Sequence, residues 1–123
     1  MEYVTYDEVM HIYKRVISET GGELGVLYEG GLRYLLETLP QIKGDLFAKA
    51  SHLTVRFVLT HPLINGNKRV ALIATILFLA KNGHSLRASP KQRVDLLLSI
   101  SKGELKEGEV AEWLKSHSVK DVR

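Results

Sequence analysis

The sequence predicts an all-α fold: a compact bundle of about six helices around a central apolar helix. Three observations carry that expectation. Apolar residues recur at three- and four-residue intervals through much of the chain. Helix-start signatures precede several of these runs, with Thr5 and Glu8 forming one capping-box pair and Ser89, Pro90 and Gln92 a second start. One run, Val70 to Ala80, is apolar almost throughout.

The elements follow in order. Tyr6, Met10, Tyr13 and Ile17 define a first helix that ends near Thr20-Gly21-Gly22. Glu23 to Gly30 lacks a period and reads as a glycine-rich loop. Leu32, Leu35, Leu36 and Leu39 mark a short second helix that Pro40 terminates. Asp45 is an N-cap for a third, in which Leu46, Ala50, Leu53 and Phe57 form a stripe widened by Phe47, Thr54 and Val58. Arg56 falls off that stripe and is expected to be solvated.

The apolar run is too long for an ordinary strand and holds three alanines. It predicts a helix from about Asn67 to Asn82, with Asn67 as N-cap and Lys81-Asn82-Gly83 as its cationic end and stop. Spanning a bilayer takes roughly 20 apolar residues, so this is a core helix. His84-Ser85-Leu86 reads as a connector. Ser89 then opens a helix to about Ser101 that places Val94, Leu97, Leu98 and Ser101 on one side, ended by Gly103. A last helix from Glu107 presents Val110, Trp113 and Leu114 as a docking face, which makes Trp113 structural.

With 123 residues the chain makes one domain, 1–123. It has no cysteine, which excludes disulfides and thiolate metal sites, and its first 15 residues do not form a signal peptide. A soluble, cytoplasmic protein with no membrane association is expected. Charge is uneven: residues 1–50 hold five Lys/Arg against eight Asp/Glu, whereas residues 51–123 hold twelve against six. The second half therefore carries the affinity for anions. Its basic residues are dispersed and accompany no nucleic-acid recognition motif, so a basic nucleic-acid-binding role stands only as an alternative. His11, His52, His84 and His117 are not spaced as a metal set, and none is read as catalytic.

Chemistry concentrates in His61 to Ala71, H-P-L-I-N-G-N-K-R-V-A. Asn65-Gly66 is a turn pair, and Gly66 allows positive φ ahead of a helix whose first N–H groups, from Asn67 to Val70, lack intrahelical partners. Such a terminus attracts anions, and Arg69 and Lys68 add a bidentate and a point-charge contact for phosphate. Both cations oppose the helix dipole unless an anion is present. His61, at the far lip of the loop, is the candidate base.

These residues resemble the Fic/Doc superfamily signature, in which a histidine precedes Pro, an apolar residue, a variable residue, an acid, Gly or Ala, Asn, Gly or Lys, and Arg. Eight of nine positions fit, counting Leu63 as an apolar swap, and the Asn67-Lys68-Arg69 ending is similar to the death-on-curing (Doc) branch. The exception is Asn65, which stands where the family has Asp or Glu. The resemblance covers about residues 5 to 116.

Several expectations follow from it. His61 would be the general base, Asn65 would occupy the metal-ligand position, and Gly66, Asn67, Lys68 and Arg69 would hold the phosphates. ATP and Mg2+ would be the cofactors. The Gln41-Ile42-Lys43-Gly44 neighbourhood would be the flap over the cleft. The activity would be phosphorylation of a Ser, Thr or Tyr hydroxyl on a target such as a translation factor, as the toxin of a toxin–antitoxin pair. Ser18, Thr20 and Ser101 do not start the inhibitory Ser/Thr-x-x-x-Glu pattern of relatives that act alone, so restraint is expected from a separate antitoxin. Two readings compete with phosphorylation: protein adenylylation, and a catalytically impaired module that binds a nucleotide or a protein.

Overall fold

The computed structural model describes residues 1–122 and contains six α-helices: α1 Tyr6–Thr20, α2 Glu29–Thr38, α3 Leu46–Thr60, α4 Asn67–Lys81, α5 Pro90–Ser101 and α6 Glu107–Ser116. The expected all-α bundle is present. Its start signals act as read: Thr5 and Glu8 close a reciprocal capping box, as do Ser89 and Gln92, and Asp45 accepts from the Ala48 N–H. Helix α4 shares the centre with α3, which packs against α2, α4, α5 and α6. Their contact holds a buried polar pair, Thr54 and Thr75, in which one hydroxyl donates to the other and the accepting one passes its own proton to a carbonyl of its helix, Ala50 for Thr54 or Ala71 for Thr75. No helix among the described residues is long and apolar enough to cross a membrane.

Four local readings change. His84–Leu86 is a strand, β1, paired antiparallel with β2, Ser118–Lys120, so that His84 faces Lys120 and Leu86 faces Ser118. Three-residue strands are too short to declare a period. On α5 the core face is Leu96, Leu97 and Ile100, while Val94 and Leu98 are exposed. Helix α5 carries apolar residues on both sides, which left the phase of its stripe open. On α1 the buried set is Val9, Tyr13, Val16 and Ile17, with Tyr6 and Met10 at its edge.

The fourth change concerns the expected flap. Leu39–Gln41 forms a 3-10 turn, and Lys49 Nζ ties the segment down by donating to the Pro40 and Ile42 carbonyls at 2.8 and 2.6 Å. This segment leads into the start of α3, whereas His61 caps its end. A 15-residue helix is about 20 Å long, so 41–44 lies too far away to cover the motif. The segment against the motif loop is instead Glu23–Tyr28. Val26 bridges Leu63, the Ile64 N–H donates to the Gly25 carbonyl at 2.9 Å, and the Leu27 and Tyr28 N–H groups donate to the Pro62 carbonyl at 2.7 and 3.1 Å.

Candidate active site

The loop between α3 and α4 is built from both ends. Helix α3 stops at His61, whose backbone enters the left-handed region at φ 53 and ψ 55 while its N–H closes the cap on the Phe57 carbonyl. Among the described residues His61 is the only non-glycine with positive φ. A side chain there costs roughly 1–2 kcal/mol, and Pro62 disfavours the right-handed alternative for the residue before it. The outcome is an exposed imidazole on a fixed backbone kink.

At the other end Gly66, at φ 81, is the N-cap of α4, and Asn67 is the first helical residue. Asn67 therefore does not cap the helix. Its buried amide bonds both backbone groups of Leu63, accepting from the N–H at 2.9 Å and donating to the carbonyl at 2.8 Å. That pairing fixes the loop's curvature. The Val70 N–H bonds the Gly66 carbonyl at 2.9 Å, which leaves Asn67, Lys68 and Arg69 as the N–H groups without helical acceptors.

These pieces meet at a shallow pocket of about 290 Å³ lined by His61, Ile64, Asn65, Gly66, Asn67, Lys68 and Arg69. All six site residues named from the sequence therefore come together. Neither Lys68 nor Arg69 forms an ion pair among the described residues. The lining contains cations, helix-end N–H groups and no carboxylate, which suits a phosphate-sized anion. A larger, mainly apolar groove of about 450 Å³ between α4 and α5 begins at the same Lys68 and Arg69 and runs past Leu72 to Leu97 and Arg93.

Asn65 is engaged across the loop. Its Oδ1 accepts from the Glu23 N–H at 2.8 Å, and its side chain lies so close to Gly22 that a Cβ there would sit 3.2 Å away. Sequence reasoning missed this partner segment, because hydrogen bonds made by the backbone of 23–28 leave no mark in side-chain identity. It missed His61's left-handed backbone too, because the proline that follows disfavours the right-handed region but points to extended backbone instead. The four other histidines lie outside the pocket: His52 bonds Glu107 at 2.7 Å between α3 and α6, and His117 stacks on Trp113. No group of three His, Cys, Asp or Glu among the described residues is placed to hold a metal ion.

A family model described as "Fic/DOC family" matches residues 3–79, through the motif and most of α4, and the chain belongs to that family. It is also 27% identical over 120 residues, 94% of each chain, to "Protein kinase doc" of Escherichia phage P1.

Proposed function

We propose that this protein transfers the terminal phosphoryl group of ATP to a Ser, Thr or Tyr hydroxyl of a protein, as the toxin half of a toxin–antitoxin pair. The observation that carries the reading is His61 on a rigid kink at one rim of a pocket whose other rim is the Asn67–Arg69 helix start with Lys68 and Arg69. The phage relative's printed name, a protein kinase, supports phosphoryl transfer over the sibling nucleotidyl transfer, as does Lys68 in the motif. His61 takes the proton of the target hydroxyl, whose oxygen forms the new bond to the terminal phosphorus. The bond from that phosphorus to the bridging oxygen breaks, and ADP leaves. Free N–H groups with Lys68 and Arg69 meet the charge on the phosphate oxygens throughout.

Mg2+, the metal implied by the family signature, prefers carboxylate oxygens beside phosphate. The pocket lining has no carboxylate, and the amide oxygen of Asn65 already accepts from Glu23. The residues do not fit a cation held by the chain, and no step is assigned to one. That same observation favours a second reading, a nucleotide- or protein-binding module that turns nothing over. ATP labelled at the terminal or the α-phosphate, incubated with purified protein and cell extract, separates the readings. Transfer of the terminal label supports phosphorylation, label from the α-phosphate alone replaces it with adenylylation, and no transfer leaves the binding module. The toxin role is tested by growth of a host lacking the partner: the native chain should arrest it and His61→Ala should not, whereas equal growth refutes toxicity.

A further inference from the structure

Helix α1 contributes nothing to the pocket lining, yet one of its side chains reaches toward it. Tyr13 is fully buried, and its hydroxyl accepts from the Gly25 N–H at 2.8 Å while directing its proton at the carbonyls of Gly25, at 3.0 Å, and Glu23, at 3.2 Å. The proton of that phenol and one acceptor site on its oxygen are therefore both spent on the backbone of a three-residue stretch. This stretch grips the motif loop. The Gly25 carbonyl that takes the Tyr13 proton also accepts the Ile64 N–H at 2.9 Å, and Glu23 donates its N–H to Asn65 Oδ1 at 2.8 Å. One carbonyl is thus shared between α1 and the loop, and both residues held from this side, Ile64 and Asn65, line the pocket.

We infer that Tyr13 is a positioning residue for this site: it fixes the 23–25 strap, and the strap holds Ile64 and Asn65 beside the helix start. Packing alone does not account for the hydroxyl, since a phenylalanine would fill the same buried space. Segment 23–25 has few other restraints. Gly22 ahead of it is at φ 105, Glu23 and Leu24 are exposed, and between Gly21 and Val26 the Gly25 carbonyl is the one backbone group that bonds other backbone outside a regular element. Without the phenol, Gly25 loses the partner of its N–H and the strap is held only by the loop it is meant to hold.

This inference rests on the proposed nucleotide site for its functional half, and the test keeps the two apart. Tyr13→Phe retains the ring, and Gly22→Ala disturbs the strap independently, because it strains a positive-φ position and presses on Asn65. Residue-resolved hydrogen exchange should show the Glu23, Gly25 and Ile64 amides opening faster in both variants, with α6 amides unchanged. ATP affinity measured by calorimetry should fall about fivefold, the equivalent of one ordinary hydrogen bond. A merely structural tyrosine would speed exchange throughout the chain in proportion to lost stability. Unchanged Ile64 exchange, a uniform increase, or local opening with native ATP affinity each overturns the inference. If the native chain binds no ATP, the proposed function falls, while selective exchange at Glu23 and Ile64 still decides whether Tyr13 holds the loop.

Discussion

Replacing Asn65 by Asp probes the point where this chain departs from its family. The change preserves side-chain length and leaves an oxygen to accept the Glu23 N–H now bonded at 2.8 Å, so the strap stays in place. What it adds is one negative charge and a second free oxygen facing a pocket that has no other carboxylate. Two unit charges about 4 Å apart interact by about 4 kcal/mol at an effective dielectric near 20. Asn65 is exposed, and solvent screening reduces this to about 1–2 kcal/mol, or roughly 5- to 30-fold in affinity. The sign depends on the metal. With Mg2+ the carboxylate gains a ligand role, and ATP should bind Asn65→Asp more tightly than the native chain by that factor, with transferase activity rising several-fold. In excess chelator the same charge repels the phosphates, and affinity should fall by a similar factor. Calorimetric ATP titrations of both proteins under both conditions supply the four constants. Equal affinities for the two proteins in both conditions would refute the placement of Asn65 beside the phosphates.

Two further predictions concern the scaffold. Gly66→Ala forces an alanine to φ 81, although its Cβ would meet Val16 only at an ordinary 3.4 Å, so the cost is backbone strain of about 1–2 kcal/mol. Thermal melting should fall by about 3–10 °C, and Gly66→Asn should lose less because Asn tolerates the left-handed region; equal loss in both would contradict this. The Glu8 carboxyl is subject to burial, which raises its pKa, but the bond from Lys81 at 2.7 Å and the Thr5 N–H outweigh that and hold it below its ordinary 4.5. A depressed carboxyl contributes stability above its unfolded pKa and loses it as pH falls through the folded value. Lys81→Met should therefore be less stable than the native chain to urea at pH 7, with the gap narrowing below pH 4.5; a gap that stays constant with pH would contradict the pairing.

Side-chain pattern and capping chemistry made the helices legible. The cap at Thr5, the proline at Pro90 and the width of the Leu46–Phe57 stripe each fix a boundary or a face by local chemistry, and the structure places them accordingly. What escaped was long-range backbone pairing. Strand β1 against β2 and the Val26 bridge to Leu63 are made by main-chain groups that every residue carries. The face of α5 escaped for a different reason, since Val94, Leu96, Leu97, Leu98 and Ile100 offer the core more than one stripe. At the site, the His61–Arg69 stretch stood out because a histidine, a Gly turn and two cations precede a buried helix, and most of the weight for a functional role came from its resemblance to the Fic/Doc signature. Asn67 was the exception: cap and brace use the same amide, and only the bonds to Leu63 distinguish them.

The central claim is that His61 activates a protein hydroxyl toward ATP. Mass spectrometry of extract proteins incubated with ATP and Mg2+ and either native protein or His61→Ala tests it most directly, because it reports the group transferred and its acceptor together. Loss of a general base costs about 10²–10⁴ in rate, so phosphorylated Ser, Thr or Tyr should appear on a defined target with the native chain and vanish with His61→Ala. Equal modification by both proteins, or an adenylyl group on the target, would contradict the claim.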